Sequence, residues 1–385
     1  MFTHHNPFYL DCACTTPTLK VATDTYTKFA GTCLGRANYP LAIEAQEMSL
    51  ETRKQVKQWF NIPAVEMDDW QVVFGYNTTD LINKIKISIK NGFIKIETGI
   101  GHNSVSLQDD NYNNSSTLVK QLKLKVSNNL VIRNTLDGLN VYPVPHIEGT
   151  WGNNIISVYS NIDGLLVDNS DIHPVAPIVI CDLAQGFFSF DKKVEKNQIY
   201  IFSAHKIYST HLGVALVHKD ILNQLIPPFI GGGAIAETDG REYRLYTDEE
   251  AYKSWECGLS DTGSICALGE TIKELTKIDA RSQYKQINLL TKYIKSILID
   301  KGFEIASTNP DKHSSIVSFY DPKDLTRHIK IGEQLNNDGI ACRTGGCCAE
   351  SWLKANGFPH IVRLSLGLNY TYTGHNKVLT ILNKL

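Results

Sequence analysis

The sequence has almost no net charge: 38 Lys and Arg against 40 Asp and Glu leave a formal charge of -2. Binding a phosphate backbone requires a basic excess, so nucleic acid is not expected as a partner. No apolar run approaches the ~20 residues of a membrane span. The opening MFTHHNPFYLDCACTTP lacks the basic stretch and apolar core of a secretory leader. A cytoplasmic protein with no membrane partner is expected. The cysteines do not form a paired framework either: there are 9, an odd number, scattered from Cys12 to Cys348, which suits reduced thiols. Cys12 and Cys14 would supply at most half of a metal site. No second well-spaced Cys or His pair completes it, so two small residues near a strand end are the stronger reading and no metal is expected. Internal repeats and low-complexity tracts are also absent.

What is present is an ordinary globular composition over 385 residues, 42% hydrophobic and 20% charged, enough to bury a large core without staples. Short apolar runs rich in β-branched residues alternate with amphipathic stretches: QVVF (71–74), GFIKIET (92–98), NIISVYS (154–160), PIVICD (177–182), QIYIFS (198–203) and GVALVHK (213–219). That alternation predicts a mostly parallel, doubly wound sheet. The Asn-rich stretch from Asp109 to Asn140 reads as a surface loop or a weak strand pair. From Ala267 onward, LGETIKELTKI and YKQINLLTKYIKSILIDKG place apolar residues three and four apart and predict helices, then strand, helix and strand. A smaller α/β domain is expected from about residue 270 to the end.

Two strand ends carry the chemistry. IYIFSAHK closes a strand on Ser203, Ala204, His205 and Lys206, and PIVICD closes another on Asp182, with Gln185 three residues on. Open α/β sheets place ligands beyond the carboxyl ends of their strands. An amine and a carboxylate delivered to one crevice suit pyridoxal phosphate, the lysine forming the Schiff base and the aspartate keeping the pyridine nitrogen protonated. By spacing alone, a lysine after a buried strand is more often a solvated surface residue.

D-x-A-Q followed by F-S-x-H-K resembles the cofactor-lysine region of the class V aminotransferase and cysteine desulfurase group, which are fold-type I pyridoxal phosphate enzymes. The resemblance implies a large domain with a mostly parallel doubly wound sheet plus a smaller C-terminal α/β domain. Residues 1–14 would be a segment packed with the small domain, 15–270 the large cofactor-binding domain, and 271–385 the small domain. It also implies that Lys206 is the Schiff-base lysine, that Asp182 pairs with the ring nitrogen, that Gln185 contacts the ring hydroxyl, and that Ser203 and His205 hold phosphate. Thr78 and Thr79, in VVFGYNTTDLIN, would present hydroxyls and helix N-terminal amides to the same phosphate. Unaided, that stretch reads as an ordinary helix cap. Asn77 stands where the family usually has glycine, and asparagine tolerates left-handed backbone. His102, in GIGHNSV, matches the histidine that stacks on the ring. Asn161, in YSNIDG, matches an asparagine facing the substrate; without the resemblance it is as readily a turn residue. SNIDG also resembles the molybdenum cofactor sulfurase branch of the group.

GIACRTGGCCAESWL (339–353) and IVRLSLGLNYT (361–371) resemble the C-terminal region of group II, SUF-type cysteine desulfurases. Cys348 then occupies the position of the reactive cysteine, and Arg363 that of the residue clamping the substrate carboxylate, a task suited to the planar guanidinium. Arg343 is the sequence-local cation able to favour a Cys348 thiolate, since a free thiol of pKa ~8.5 is mostly protonated at neutral pH. Cys347 reads as a bystander.

The implied activity converts L-cysteine to L-alanine and leaves a persulfide on Cys348 for a sulfur-acceptor protein, with the enzyme a homodimer. A C–S lyase, or an aminotransferase or epimerase of the same family, would need no Cys348. Leu259, in SWECGLSDTG, replaces a threonine that in the family reaches the partner subunit's cofactor. Leucine cannot donate a hydrogen bond there.

Overall fold

The computed structural model describes residues 2, 8–30, 38–92, 96–98, 130–135, 138–143, 153–157, 159–165, 178–370 and 372–385. The apolar runs become strands: β1 (Trp70–Gly75), β2 (Ile96–Thr98), β3 (Leu130–Thr135), β4 (Gly138–Pro143), β5 (Asn153–Ser157), β6 (Val179–Asp182), β7 (Gln198–Ser203) and β8 (Gly213–His218). Six of them form one sheet among the described residues, in the order β1-β8-β7-β6-β5-β2. The pairs from β2 through β5 and β6 to β7 are parallel, whereas β8 runs antiparallel to both β7 and β1. β3 and β4 form a separate antiparallel pair at the end of the Asn-rich stretch, of which residues 109–129 lie outside the described ones.

Strands β1, β6, β7 and β8 are apolar on both faces, which explains why they read as continuous runs rather than alternations. Val72, Phe74, Cys181, Tyr200, Phe202, Val214 and Leu216 belong to one core cluster. Their immediate neighbours Val73, Ile180, Ile199, Ile201, Ala215 and Val217 belong to the opposite one. The expected strand at 92–98 is shorter in the structure. Helix α3 (Thr78–Gly92), whose Leu81, Ile82 and Ile85 pack on the sheet at helical spacing, reaches Gly92, and Ile96–Thr98 is the strand.

Helices α1 (Lys20–Phe29) and α2 (Pro40–Trp59) lie against the helix Thr262–Lys277, whose buried face includes Ile265, Leu268, Ile272 and Leu275. A buried ion pair ties this layer to the sheet. Arg53 gives Nη1 and Nη2 to the two carboxylate oxygens of Glu256, at 2.9 and 2.7 Å, and Glu256 Oε1 also accepts from the amide of Phe74 at 2.7 Å. Deleting one member of such a pair leaves a buried charge unmatched, a loss of about 3–5 kcal/mol.

The C-terminal part has its own core. β11 (Glu304–Ile305), β12 (Ile316–Tyr320), β13 (Arg343–Gly345) and β14 (Ile361–Ser365) form an antiparallel sheet in the order β11-β12-β14-β13. β9 (Ile235–Thr238) and β10 (Tyr243–Leu245) pair separately. The helices Ala280–Asp300 and His328–Asn337 cover the C-terminal sheet through Ile294, Leu298, Ile331 and Leu335. The N-terminus joins this unit. Leu10 is fully buried in the same cluster, its amide bonds to Ala341 O at 2.9 Å, and Ser365 N returns to Leu10 O at 2.7 Å. This contact carries Asp11 and Cys14 to the seam between the two sheets.

Candidate active site

β6 and β7 are parallel neighbours with Asp182 opposite Ile201, so the strands end side by side and deliver Asp182, Ser203 and Lys206 to one edge. Lys206 closes a 3-10 turn, Ala204–Lys206, directly after β7. Both groups line a cavity of about 290 Å³ with Thr78, Asn161, Arg363 and Cys348. Asp182 is buried and accepts from Ala184 N at 2.8 Å. Burial raises its pKa, against the opposing effects of that hydrogen bond and of Lys206. Burial depresses the Lys206 ammonium despite the attraction of Asp182. An amine so placed loses its proton more readily than a surface lysine.

The N-terminus of α3 meets the end of β7. Thr78 Oγ1 and Ser203 Oγ are 2.6 Å apart, and Thr78 N donates to Ser203 Oγ at 3.2 Å. Asn77 corrects the conformational expectation: its backbone is not left-handed, and its Oδ1 instead caps α3 by accepting from Asp80 N at 2.9 Å. A Cβ on Gly213 would lie 2.5 Å from the Asn77 carbonyl, so glycine is what allows this turn to approach β8. Thr79 is exposed at the cavity mouth.

His205 stacks on His211, with ring centroids 5.0 Å apart, and its Nδ1 lies 3.1 Å from Thr15 Oγ1. Burial, then the charges of Lys206 and His211, lower its pKa to about 4. At neutral pH the imidazole is therefore uncharged and meets an anion as a hydrogen-bond donor, not as a cation. Gln185 donates Nε2 to Ala13 O at 2.6 Å at the edge of the cavity. His102 lies outside the described residues.

Arg363 leaves β14 almost wholly buried, at 3% exposure. Nη1 donates to Asn161 O at 2.9 Å and Nη2 to Asp11 Oδ1 at 3.1 Å, while Nε has no partner among the described residues. Asn161 in turn donates Nδ2 to Cys347 O at 2.7 Å. One asparagine thus holds the backbone of the cysteine loop and the guanidinium.

The loop itself is strained. Cys347 and Cys348 take φ of 53° and 56°, left-handed values that cost a residue with a Cβ energy and cluster at functional sites. Cys348 is exposed; Cys347 is half-buried, packs against the cluster around Trp352, and has its pKa raised by burial. Arg343 lines the cavity with Cys348 and gives its hydrogen bonds elsewhere. Its Nε and Nη2 bind Asp11 Oδ2 at 3.2 and 2.9 Å, and Nη2 also donates to Cys14 Sγ at 2.6 Å, so its hydrogen bonds go to the N-terminal segment and not to Cys348.

Asp11 and Cys14 are not marked by the sequence as site residues. The only local signal was YLDCAC itself, read as a question about metal. The turn after Asp11 separates the two cysteines. Cys12 is buried with Sγ donating to Asn369 Oδ1 at 3.3 Å, whereas Cys14 is half-buried and lines the cavity.

A family model described as aminotransferase class-V matches residues 8–376. A cysteine desulfurase from Enterobacter sp. (strain 638) is 25% identical over 375 residues, covering 91% of this chain and 85% of the relative. One from Pectobacterium carotovorum subsp. carotovorum (strain PC1) is 25% identical over 352 residues, covering 87% and 82%. Among solved structures, a cysteine desulfurase from Escherichia coli superposes with a TM-score of 0.75 at 18% identity, covering 98% of this chain and 94% of that one. An apo cysteine desulfurase from Thermococcus onnurineus NA1 gives 0.74 at 19% identity with the same coverage. At such identities the superpositions speak to the fold.

Proposed function

The chain belongs to the class V aminotransferase family, and on that premise we propose that it is a pyridoxal phosphate-dependent cysteine desulfurase, of the group II type, that converts L-cysteine to L-alanine and collects the sulfur as a persulfide on Cys348. Its fold is that of the fold-type I enzymes, a family that uses pyridoxal phosphate. The residues present fit that group: a buried carboxylate and an amine of depressed pKa face one cavity, and the hydroxyls of Thr78 and Ser203 meet at a helix N-terminus suited to a phosphate. Asp182 would face the ring nitrogen and Lys206 would hold the group covalently. Gln185, His205 and Thr79 would complete the cradle, with His102 as the stacking residue the resemblance implies.

When bound, pyridoxal phosphate supplies an electron sink conjugated to the substrate's α carbon. The chain's own residues do the rest. Arg363 takes the substrate carboxylate through N–H groups beyond those given to Asn161 and Asp11, since each Nη nitrogen carries a second hydrogen. Lys206 Nζ accepts the α proton, a task for which a depressed pKa is an asset. Cys348 Sγ attacks the substrate sulfur, and a sulfur–sulfur bond forms as the carbon–sulfur bond breaks. A proton from the thiols goes to the β carbon and the α carbon regains one from Lys206 Nζ, so L-cysteine and one thiol become L-alanine and one persulfide with no outside oxidant.

The observation that carries this reading is the exposed Cys348, held on a left-handed backbone at the mouth of the cavity that contains Lys206, Asp182 and Arg363. A lyase or transaminase has no use for it. Exposure is what handing sulfur to an acceptor protein requires. We further read the enzyme as a homodimer: Leu259 is 72% exposed and Tyr76 77% exposed at a second cavity of about 650 Å³ that opens beside His205 and His211, a surface suited to a second copy. Among the described residues every cysteine is free, and no helix is long and apolar enough to cross a membrane. The free thiols support a cytoplasmic setting. Incubation of the holoenzyme with L-cysteine should yield alanine and a persulfide on Cys348; pyruvate with free sulfide instead would select a lyase.

A further inference from the structure

We propose that Cys14 is a second sulfur-carrying thiol in the same cavity, taking the outer sulfur of a Cys348 persulfide by thiol exchange; this rests on the desulfurase reading above. The two cysteines of CAC have different surroundings. Cys12 is fully enclosed, bonded to Asn369, and its pKa is pushed far above the ordinary range by burial, so it stays an inert thiol. Cys14 is half-buried and lines the cavity that Cys347, Cys348 and Lys206 also line.

Two arginines stand beside Cys14 on this cavity. Arg343 is clamped by Asp11 through Nε and Nη2, and Nη2 also donates to Cys14 Sγ. A second cation, the buried Arg363, lines the same cavity, and its Nε has no partner among the described residues. Burial depresses the Lys206 ammonium, while the charges of Asp182, Cys14 and Cys348 all act to raise it, so both sulfurs lie within electrostatic reach of one amine. Cys347 differs: it packs into the cluster around Trp352 and its backbone is tied to Asn161.

The exchange balances without an oxidant. The Cys14 thiolate attacks the outer sulfur of Cys348–S–SH, a bond forms between them, and the bond to Cys348 Sγ breaks. Cys348 leaves as a thiolate and takes the proton that Cys14 gave up. The exposed thiol is then free for another turnover, while the first sulfur rests on a half-buried one beside Arg343.

The test is a sulfur map of the holoenzyme after incubation with excess L-cysteine and no acceptor or reductant, by alkylation and peptide mass spectrometry over time. The wild type should gain sulfur first on Cys348 and then on Cys14. Cys14→Ser should stop at one sulfur per chain, on Cys348, and Cys348→Ser should leave Cys14 unmodified. If Cys348 gains sulfur and Cys14 never does, or if the second sulfur goes to Cys347, the relay is wrong and the desulfurase reading stands. Sulfur on Cys14 of Cys348→Ser at the wild-type rate would make Cys14 a direct acceptor and overturn the relay. Sulfur on neither thiol overturns both. The wild-type map decides the matter even if a variant does not fold.

Discussion

Asp11 Oδ1 accepts from Arg363 Nη2 at 3.1 Å, joining the N-terminal segment to the guanidinium read as the substrate's carboxylate clamp. Its other oxygen holds Arg343. The Arg363 side chain is 3% exposed and that of Asp11 12%, so water screens their attraction little. Asp11→Ala should lower stability by about 3–5 kcal/mol, as expected when a buried pair loses one member. It should also raise KM for L-cysteine by loosening the clamp. Thermal denaturation and steady-state kinetics check both; an unchanged Tm would remove Asp11 from the structural account.

Arg363→Lys keeps the charge and loses the fork. A charge-assisted pair is worth about 1.5–3 kcal/mol, so KM should rise roughly 10- to 160-fold with a smaller change in kcat. Unchanged kinetics would take Arg363 out of the substrate site.

Lys206→Ala should abolish the visible absorption of bound pyridoxal phosphate, and Asp182→Asn should keep the cofactor and lose most of the turnover. The first variant tests attachment, the second the electron sink. A colourless wild-type protein that takes up no added cofactor would end the reading.

His205 gives a pH signature. Its folded pKa of about 4 lies below the ordinary 6.5 because burial disfavours the charged ring. As pH falls below 6.5 the unfolded chain binds a proton that the folded chain refuses until about pH 4, so stability drops across that window. The loss is on the order of 2–3 kcal/mol by linkage. Urea denaturation of the cofactor-free protein at pH 7 and pH 4.5 should show the drop, and His205→Gln should reduce it.

Cys347→Ser should still form alanine and persulfide, because the loop is held through the Cys347 carbonyl, which serine keeps. Cys348→Ser should bind L-cysteine and fail to accumulate persulfide.

The strand-end residues were legible because a few consecutive letters carry both the strand and its functional terminus, as in PIVICD and IYIFSAHK. The antiparallel placing of β8 was not, since a strand buried on both faces reads alike in either direction. Asp11 and Cys14 were also hidden. Their partner Arg343 lies 332 and 329 residues away, and no local periodicity signals a contact of that separation. The bonds of Arg343 are hidden for the same reason: its neighbours in sequence do not show that they go to Asp11 and Cys14. The sequence marked Asn77 as a tolerated left-handed residue, and its capping bond to Asp80 N replaces that reading.

Rapid quench of the wild-type holoenzyme with stoichiometric L-cysteine, followed by alanine analysis and peptide mass mapping, tests the central claim most directly. Alanine and one sulfur on the Cys348 peptide should appear together, at equal rates and amounts. Pyruvate and free sulfide formed without any sulfur on Cys348, at a rate that Cys348→Ser matches, would contradict the account.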